Sequence, residues 1–209
     1  MKKYTRICAR IDLDAIEYNL EMMRRRLPSD TKMIGVIKMD GYGHGAAQIA
    51  KYVMEEKDYI WGYAAATPDE AALLRKKGIQ KPILVLGCTF PEQRDEMIRQ
   101  EIRMTCYTEE MARDVSERAG RLGKTAYIHI SEESADAIAR AAGLPGIEAE
   151  GMFTHFSKAD ETDKAFTRGQ MEKYLWMKAR LADRGVAFKL CHCSNSAGII
   201  DMPEAAMDL

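Results

Sequence analysis

A single lysine, Lys38, stands where an apolar run ends and a glycine-rich segment begins. Residues 33–37 are apolar and rich in β-branched side chains, which predicts a buried strand. A lysine at the end of such a strand is partly desolvated, and desolvation favours the neutral amine that Schiff-base chemistry needs. Three glycines follow, Gly41, Gly43 and Gly45, and their freedom to adopt positive φ would let their N–H groups surround an anion. From these residues alone, a solvated lysine beside an ordinary turn is the alternative.

Strand and helix signals alternate along the chain and decide where Lys38 would lie. A short strand is predicted at residues 10–13, followed by a helix that Asp14 caps. Thr67 and Thr108 are predicted as N-caps of later helices. Helices are expected at residues 46–56, 91–100, 132–142 and 164–184, among others. After the strand that precedes Lys38, further strands are expected at residues 59–65, 82–86, 103–107, 125–130, 147–156 and 187–193.

This alternation indicates a parallel α/β fold. A doubly wound sheet would usually carry a G-x-G-x-x-G turn in its first βα connection, and none is present. A TIM-type (β/α)8 barrel places its site at the C-terminal ends of several strands. Lys38, His155 and residues 194–196 all follow strands, which favours the barrel. We expect one domain over residues 1–209, an incomplete barrel of about seven βα units without its eighth strand.

Composition excludes several classes of partner. The 209 residues include 31 basic and 32 acidic side chains, so the net charge of -1 points neither to nucleic acid nor to an anionic membrane. No apolar run approaches the length of a membrane span. Five cysteines at scattered spacings suit reduced thiols in a cytoplasmic protein. The spacing of Cys191, His192 and Cys193 is unlike a zinc site, so we expect no metal and interpret both cysteines as core residues.

Four sequence motifs resemble those of one enzyme family. The string V-I-K-M-D-G-Y-G-H-G at residues 36–45 resembles the pyridoxal-phosphate attachment motif of the alanine racemase family. Residues 10–15 resemble the opening segment of that family. Residues 154–160 and 193–198 resemble its motifs after strands six and seven. The resemblance covers nearly the whole chain.

The resemblance implies a role for each of five side chains. Lys38 would hold pyridoxal 5'-phosphate as an internal aldimine and act as one of two proton-transfer bases. Tyr42 would reach the cofactor phosphate, and His155 would lie behind the pyridine ring. Asn195 and Ser196 would line the phosphate end of the site. Taken singly, His155 could be a core histidine, Tyr42 could pack over the loop, and the Asn195–Ser196 pair could cap a helix.

The implied activity is that of a cytoplasmic, homodimeric isomerase. It would interconvert L- and D-alanine and so supply D-alanine for the bacterial cell wall. A racemase of the same fold acting on serine or another amino acid is one alternative. A non-catalytic pyridoxal-phosphate-binding barrel is another, since it would share Lys38 but need no second base.

Three features depart from the family. The family has a glycine-rich segment with an arginine after strand five, whereas here Ser131 follows Ile130 directly. We expect either an omitted loop or a true deletion, which the Ile130–Ser131 Cα separation would distinguish. The family's eighth strand, with an arginine facing the pyridine nitrogen, and its C-terminal β-domain, with the partner's tyrosine base, have no counterpart in these residues. We therefore expect an N-terminal barrel with exposed edges at strands one and seven and little or no racemase activity alone.

Overall fold

The computed structural model describes residues 7–131 and 134–209. These residues form a seven-stranded parallel sheet whose strands are paired in chain order. The strands are β1 (Met33–Val36), β2 (Ile60–Ala65), β3 (Ile83–Val85), β4 (Arg103–Cys106), β5 (Ala126–Ile130), β6 (Ile147–Phe153) and β7 (Leu190–His192). Sequential parallel pairing is the arrangement of an α/β barrel, so the predicted fold class is confirmed.

The sheet is strongly curled. Trp61 on β2 and His129 on β5 are three strands apart, a separation of about 14 Å in a flat sheet. Their ring centroids nevertheless lie 5.5 Å apart. These two side chains therefore line the concave face of the sheet, which is the interior of the barrel.

Helices connect successive strands. They are α1 (Leu13–Arg24), α2 (Ala46–Ile49) with a π-helical continuation (Ala50–Met54), α3 (Pro68–Lys76), α4 (Pro91–Arg99), α5 (Glu109–Leu122), α6 (Ala135–Ala142), α7 (Ala165–Ala182) and α8 (Ser196–Asp201). Thr67 and Thr108 cap α3 and α5 through their hydroxyl groups, as predicted. Among the described residues, no helix has both the length and the apolar character needed to cross a bilayer.

The structure corrects three predicted boundaries. Residues 10–12 form no strand, and Asp12 caps α1 by accepting hydrogen bonds from Asp14 N (3.0 Å) and Ala15 N (3.1 Å). An extended segment gains little without a neighbouring strand to pair with, whereas a carboxylate at the N-cap satisfies free helix amides. Helix α6 begins at Ala135, and Glu132 and Glu133 of the predicted helix lie outside the described residues.

The main core lies between the convex face of the sheet and the helices. Buried side chains such as Ile83, Met104 and Ile128 pack there against helical residues such as Leu74 and Val115. Burial of this apolar surface is the main favourable term in the stability of the fold. Cys191 and Cys193 are also buried in apolar clusters, which confirms their predicted role as core residues.

Residues 207–209, which we call the seam, lie between the two outer strands. Asp208 N donates to Cys191 O on β7 (3.1 Å), and Asp208 O accepts from Lys32 N just before β1 (2.9 Å). Thr31 Oγ1 also donates to Met207 O (2.8 Å). The expectation that both edges are open is therefore wrong beside Lys32 and Cys191, whose backbone groups the seam bonds.

Candidate functional site

Lys38 leads into a left-handed turn at the C-terminal end of β1. Residues 38–45, which we call the lysine turn, include a run with positive φ: Met39, Asp40, Gly41, Tyr42 and Gly43. Positive φ was expected at the glycines. The three other side chains are unexpected there, because each L-residue in this region costs about 1–2 kcal/mol.

Hydrogen bonds within the lysine turn and to its neighbours compensate for this strain. The N–H groups of the three glycines are all used internally: Gly41 N donates to Ile37 O, Gly43 N to Met39 O and Gly45 N to Asp40 O, at 2.8–3.0 Å. The prediction that these glycine N–H groups surround an anion is therefore wrong, because each already donates to a backbone carbonyl in or beside the turn.

Two carboxylates anchor the ends of the lysine turn. Glu70 Oε1 accepts from Met39 N (2.8 Å) at its beginning. Asp40 Oδ1 accepts from Ala46 N (2.9 Å), the first residue of α2. The backbone around Lys38 is thus tied to both α3 and α2.

The amine of Lys38 is left available by this arrangement. The side chain is half-buried, and in the described part of the chain Nζ has no carboxylate within 4.0 Å and no hydrogen-bond acceptor. Nζ lies 5.9 Å from the centroid of the Tyr42 ring. Tyr42 is 57% exposed. A primary amine without an ion pair, beside a phenol at a strand end, can act as a nucleophile or a base.

The turns after β6 and β7 are joined by Asn195. Its Oδ1 caps α8 by accepting from Gly198 N (3.0 Å), and its Nδ2 donates to Phe156 O (3.0 Å). Ser196 follows, exposed at the first position of α8, and the His155 side chain is also exposed. The five predicted site residues thus share one face of the barrel, the one that carries the C-terminal ends of the strands. In the described residues, hydrogen bonds link Asn195 to the β6 turn but not to Lys38.

A polar column that sequence reasoning missed fills the barrel interior. We define it as Arg103, Glu150, His129 and His192. Arg103 Nε and Nη2 donate to the two Glu150 oxygens at 2.9 and 3.2 Å. His129 Nε2 lies 3.5 Å from Glu150 Oε2, and His129 Nδ1 lies 3.0 Å from His192 Nε2. The column runs from β4 through β6 and β5 to the last residue of β7.

Burial and charge fix the ionisation of this column. Burial raises the pKa of Glu150, but the neighbouring His129 and Arg103 side chains outweigh it and lower that pKa to about 2. Burial, reinforced by His129, lowers the pKa of His192 to about 3. Burial also lowers the pKa of His129, and Glu150 only partly offsets this effect. Near pH 7 the carboxylate is therefore charged and both imidazoles are neutral.

The two histidines share one hydrogen bond. One of His129 Nδ1 and His192 Nε2 donates to the other, while His129 Nε2 lies 3.5 Å from Glu150 Oε2 without forming a hydrogen bond. The sequence offered one signal for this: strand alternation sends Cys191 and Cys193 to one face and His192 to the other. No local pattern indicated the partner of His192, because His129 lies 63 residues away along the chain.

Comparison with known proteins identifies the family of this barrel. Residues 11–209 match the family model described as "Alanine racemase, N-terminal domain". The chain belongs to the alanine racemase N-terminal domain family. The family resemblance and the barrel fold inferred from the motifs are therefore confirmed.

Individual alanine racemases agree with this assignment. The enzyme of Clostridium tetani is 38% identical over 97% of this chain and 55% of its own length. The solved alanine racemase of Clostridium difficile 630 in complex with cycloserine is 40% identical, with a TM-score of 0.90 over 95% of this chain and 54% of that one. The Bacillus anthracis alanine racemase with bound L-Ala-P is 29% identical, with a TM-score of 0.83 over 92% of this chain and 52% of that one. The chain thus spans about half the length of these relatives.

Ser131 follows β5 directly and remains bonded to β4. Ser131 N continues the ladder beyond β5 by donating to Cys106 O (3.0 Å). The alignment with the Clostridium tetani enzyme extends over 215 positions while covering 97% of this 209-residue chain, so that relative has residues without a counterpart here. The choice between an omitted loop and a true deletion after Ile130 stays a prediction.

Proposed function

We propose that this chain is the pyridoxal-phosphate-binding barrel of an enzyme that interconverts L- and D-alanine. The observation that carries the proposal is the Lys38 amine, which has no ion pair among the described residues and stands in the family's attachment motif. The family assignment supports the racemase class. Two solved relatives, one in complex with cycloserine and one with bound L-Ala-P, support an alanine-like substrate.

The residues present fit pyridoxal 5'-phosphate. Lys38 would hold the cofactor covalently, and the hydroxyls of Tyr42 and Ser196 are exposed donors for its phosphate. Asn195 would fix the turn that presents Ser196, since its own amide already bonds Phe156 and Gly198. His155 stays proposed as the residue behind the pyridine ring. When bound, the cofactor supplies an electron sink for the carbanion at the substrate Cα.

Lys38 is proposed as one of two bases. Its amine would remove or return the Cα proton on one side of the substrate, and inversion needs a second group on the opposite side. The family resemblance assigns that second group to a tyrosine of a partner subunit, outside these residues. We therefore expect the 209 residues alone to show little or no racemase activity.

A homodimer in the cytoplasm is the proposed state of the enzyme. Apolar side chains in the connections on the Lys38 face are more than half exposed, namely Met39, Tyr42, Phe90 and Phe166. A partner subunit over the site would cover them, and exposed clusters of this type mark interaction surfaces. Free thiols at Cys8, Cys88, Cys191 and Cys193 suit a reducing compartment.

Borohydride trapping tests the cofactor assignment. The chain is mixed with pyridoxal 5'-phosphate, reduced, digested and mapped by mass spectrometry. We expect the label on Lys38, its loss in Lys38→Ala, and its retention in Lys51→Ala, which removes an exposed lysine of the π-helical segment. A label spread evenly over surface lysines, or unchanged in Lys38→Ala, would contradict the proposal.

The same assay separates the alternatives. An amino-acid substrate displaces Lys38 from the cofactor, so its addition before reduction should lower the Lys38 label. A stronger effect of alanine than of serine is expected for an alanine racemase, and the reverse for a serine racemase. A non-catalytic cofactor-binding barrel would keep its label with either amino acid.

A further inference from the structure

Both peptide groups that flank Lys38 are held by hydrogen bonds. The carbonyl before it, Ile37 O, accepts from Gly41 N (2.9 Å). The amide after it, Met39 N, donates to Glu70 Oε1 (2.8 Å). The first of these bonds joins the lysine turn to the residue just before it. The second comes from a different element, helix α3, and ties the turn to the rest of the barrel.

Glu70 departs from the role that its sequence position predicts. Thr67-Pro68-Asp69-Glu70 has the pattern of a capping box, in which the third helical residue bonds the N-cap amide. Thr67 does cap α3, since its Oγ1 accepts from Glu70 N (3.3 Å). The Glu70 carboxylate instead reaches past the cap: Oε2 accepts from Ala66 N and Oε1 from Met39 N, both at 2.8 Å.

Ala66, the other residue that the Glu70 carboxylate bonds, is itself held in place. Ala66 O accepts from Gly87 N (3.1 Å), so Ala66 is held on its N–H side by Glu70 and on its carbonyl side by the β3 connection. A Cβ at Gly87 would overlap Ala66 O, so the two backbones approach as closely as glycine allows. Glu70 therefore fixes the lysine turn to a point that cannot shift easily.

We propose that Glu70 is a positioning residue for Lys38, whose carboxylate holds the peptide group after the lysine and so fixes the direction in which its side chain leaves the backbone. The proposal rests on the proposed function in taking Lys38 as the cofactor lysine. Met39, Asp40 and Tyr42 disfavour the left-handed conformation, so an external bond at Met39 N is needed to select it. A carboxylate acceptor makes a stronger hydrogen bond to an amide than a neutral acceptor does.

The test compares three variants of the chain. Glu70→Gln keeps the shape but replaces one carboxylate oxygen with an NH2 donor, so one of the two amides, Met39 N or Ala66 N, loses the oxygen that it bonds. Thr67→Ala removes the helix cap and leaves the carboxylate. Asp69→Asn removes the neighbouring exposed charge in the same helical turn. Each is assayed for borohydride-trapped pyridoxal 5'-phosphate at Lys38, for hydrogen exchange of the peptide covering residues 37–45, and for melting temperature.

We expect Glu70→Gln to lower the trapped label at subsaturating cofactor by about tenfold and to speed exchange in residues 37–45 by a similar factor. Asp69→Asn should match the parent chain, and Thr67→Ala should lower the melting temperature without a comparable loss of label. Equal losses in Glu70→Gln and Thr67→Ala would show that Glu70 acts only through the helix cap and would overturn the proposal. An unchanged Glu70→Gln variant would overturn it as well.

Failure of the proposed function has a different signature. If the parent chain is not labelled at Lys38, the cofactor assignment fails, and the exchange measurement still decides whether Glu70 holds the turn. If Glu70→Gln does not fold, Glu70→Asp takes its place, since the shorter side chain can reach one of the two amides but not both. Exchange in residues 37–45 that does not differ between Glu70→Asp and Asp69→Asn would then overturn the proposal.

Discussion

His129 Nδ1 lies 3.0 Å from His192 Nε2 in the barrel interior, and the two rings are 0% and 9% exposed. One proton joins the pair. Neither ring can gain a second proton without placing a positive charge in a buried space beside Arg103. The two histidines are therefore neutral only above a certain pH, and the stability of the fold should depend on pH.

We predict that acidification destabilises the chain through this pair. The folded pKa of His192 is about 3, against 6.5 for an ordinary histidine, so the unfolded state binds more protons between these values. Stability is then complete above about pH 6.5 and falls as the pH drops toward 3. His192→Gln should flatten the decrease in unfolding free energy between pH 7.5 and pH 5, measured by urea titration. His155→Gln, which changes an exposed ring, should keep the parent slope, and equal slopes in all three proteins would contradict the prediction.

This pH window separates the histidines from Glu150. The carboxylate has its pKa lowered from 4.5 to about 2, so its contribution is present above pH 4.5 and is lost as the pH falls toward 2. Both effects have the same sign, and their intervals overlap between about pH 4.5 and 3, so the decrease between pH 6.5 and 4.5 belongs to the histidines alone. A decrease that begins only below pH 4.5 would assign the acid sensitivity to Glu150 alone.

The local features of this fold could be predicted from the sequence, and its long-range polar contacts could not. Thr67 and Thr108 were identified as caps because capping depends on residues three positions apart. Positive φ at Gly41 was predictable because glycine lacks a Cβ and adopts it without strain. The histidine pair was not, because the chain must first form a curled sheet before residues 63 positions apart meet.

The lysine turn shows a second limit of sequence reasoning. Met39 and Asp40 each disfavour positive φ, so no local rule predicts a left-handed run through them. The run is bonded from outside by Glu70, 31 residues further on, which accepts from Met39 N. Tertiary contacts overrode local preference at the point where the candidate site lies.

We predict that the Arg103–Glu150 pair is strongly coupled. The two side chains are 13% and 12% exposed, so Arg103→Leu would leave a buried carboxylate without its main partner. The expected loss is about 3–5 kcal/mol of unfolding free energy. Arg113→Leu, which breaks the exposed pair with Glu109, should cost under about 1 kcal/mol. Urea denaturation of the single variants and of the double Arg103→Leu/Glu150→Leu variant measures this, and a double loss equal to the sum of the singles would argue against coupling.

We predict opposite effects of the same substitution at two glycines. Gly87→Ala would force a Cβ against Ala66 O, and such overpacking typically costs about 1–3 kcal/mol. Gly120→Ala lies on an exposed position of α5 where a Cβ meets nothing within 4 Å. It should raise stability by about 0.5–1 kcal/mol, since alanine suits a helix better than glycine. Thermal unfolding distinguishes the two variants, and destabilisation by Gly120→Ala would refute the prediction for that position.

The seam has a consequence for how the barrel assembles. Thr31 and Met207, which it brings together, are 176 residues apart along the chain. These contacts close a long loop, which costs conformational entropy, and they stabilise the chain only after the intervening units are ordered. Neighbouring βα units can associate early, because their strands are close in sequence. Closure between the first and last strands should therefore be a late event in folding, and intermediates that precede it would expose both strand edges to other chains.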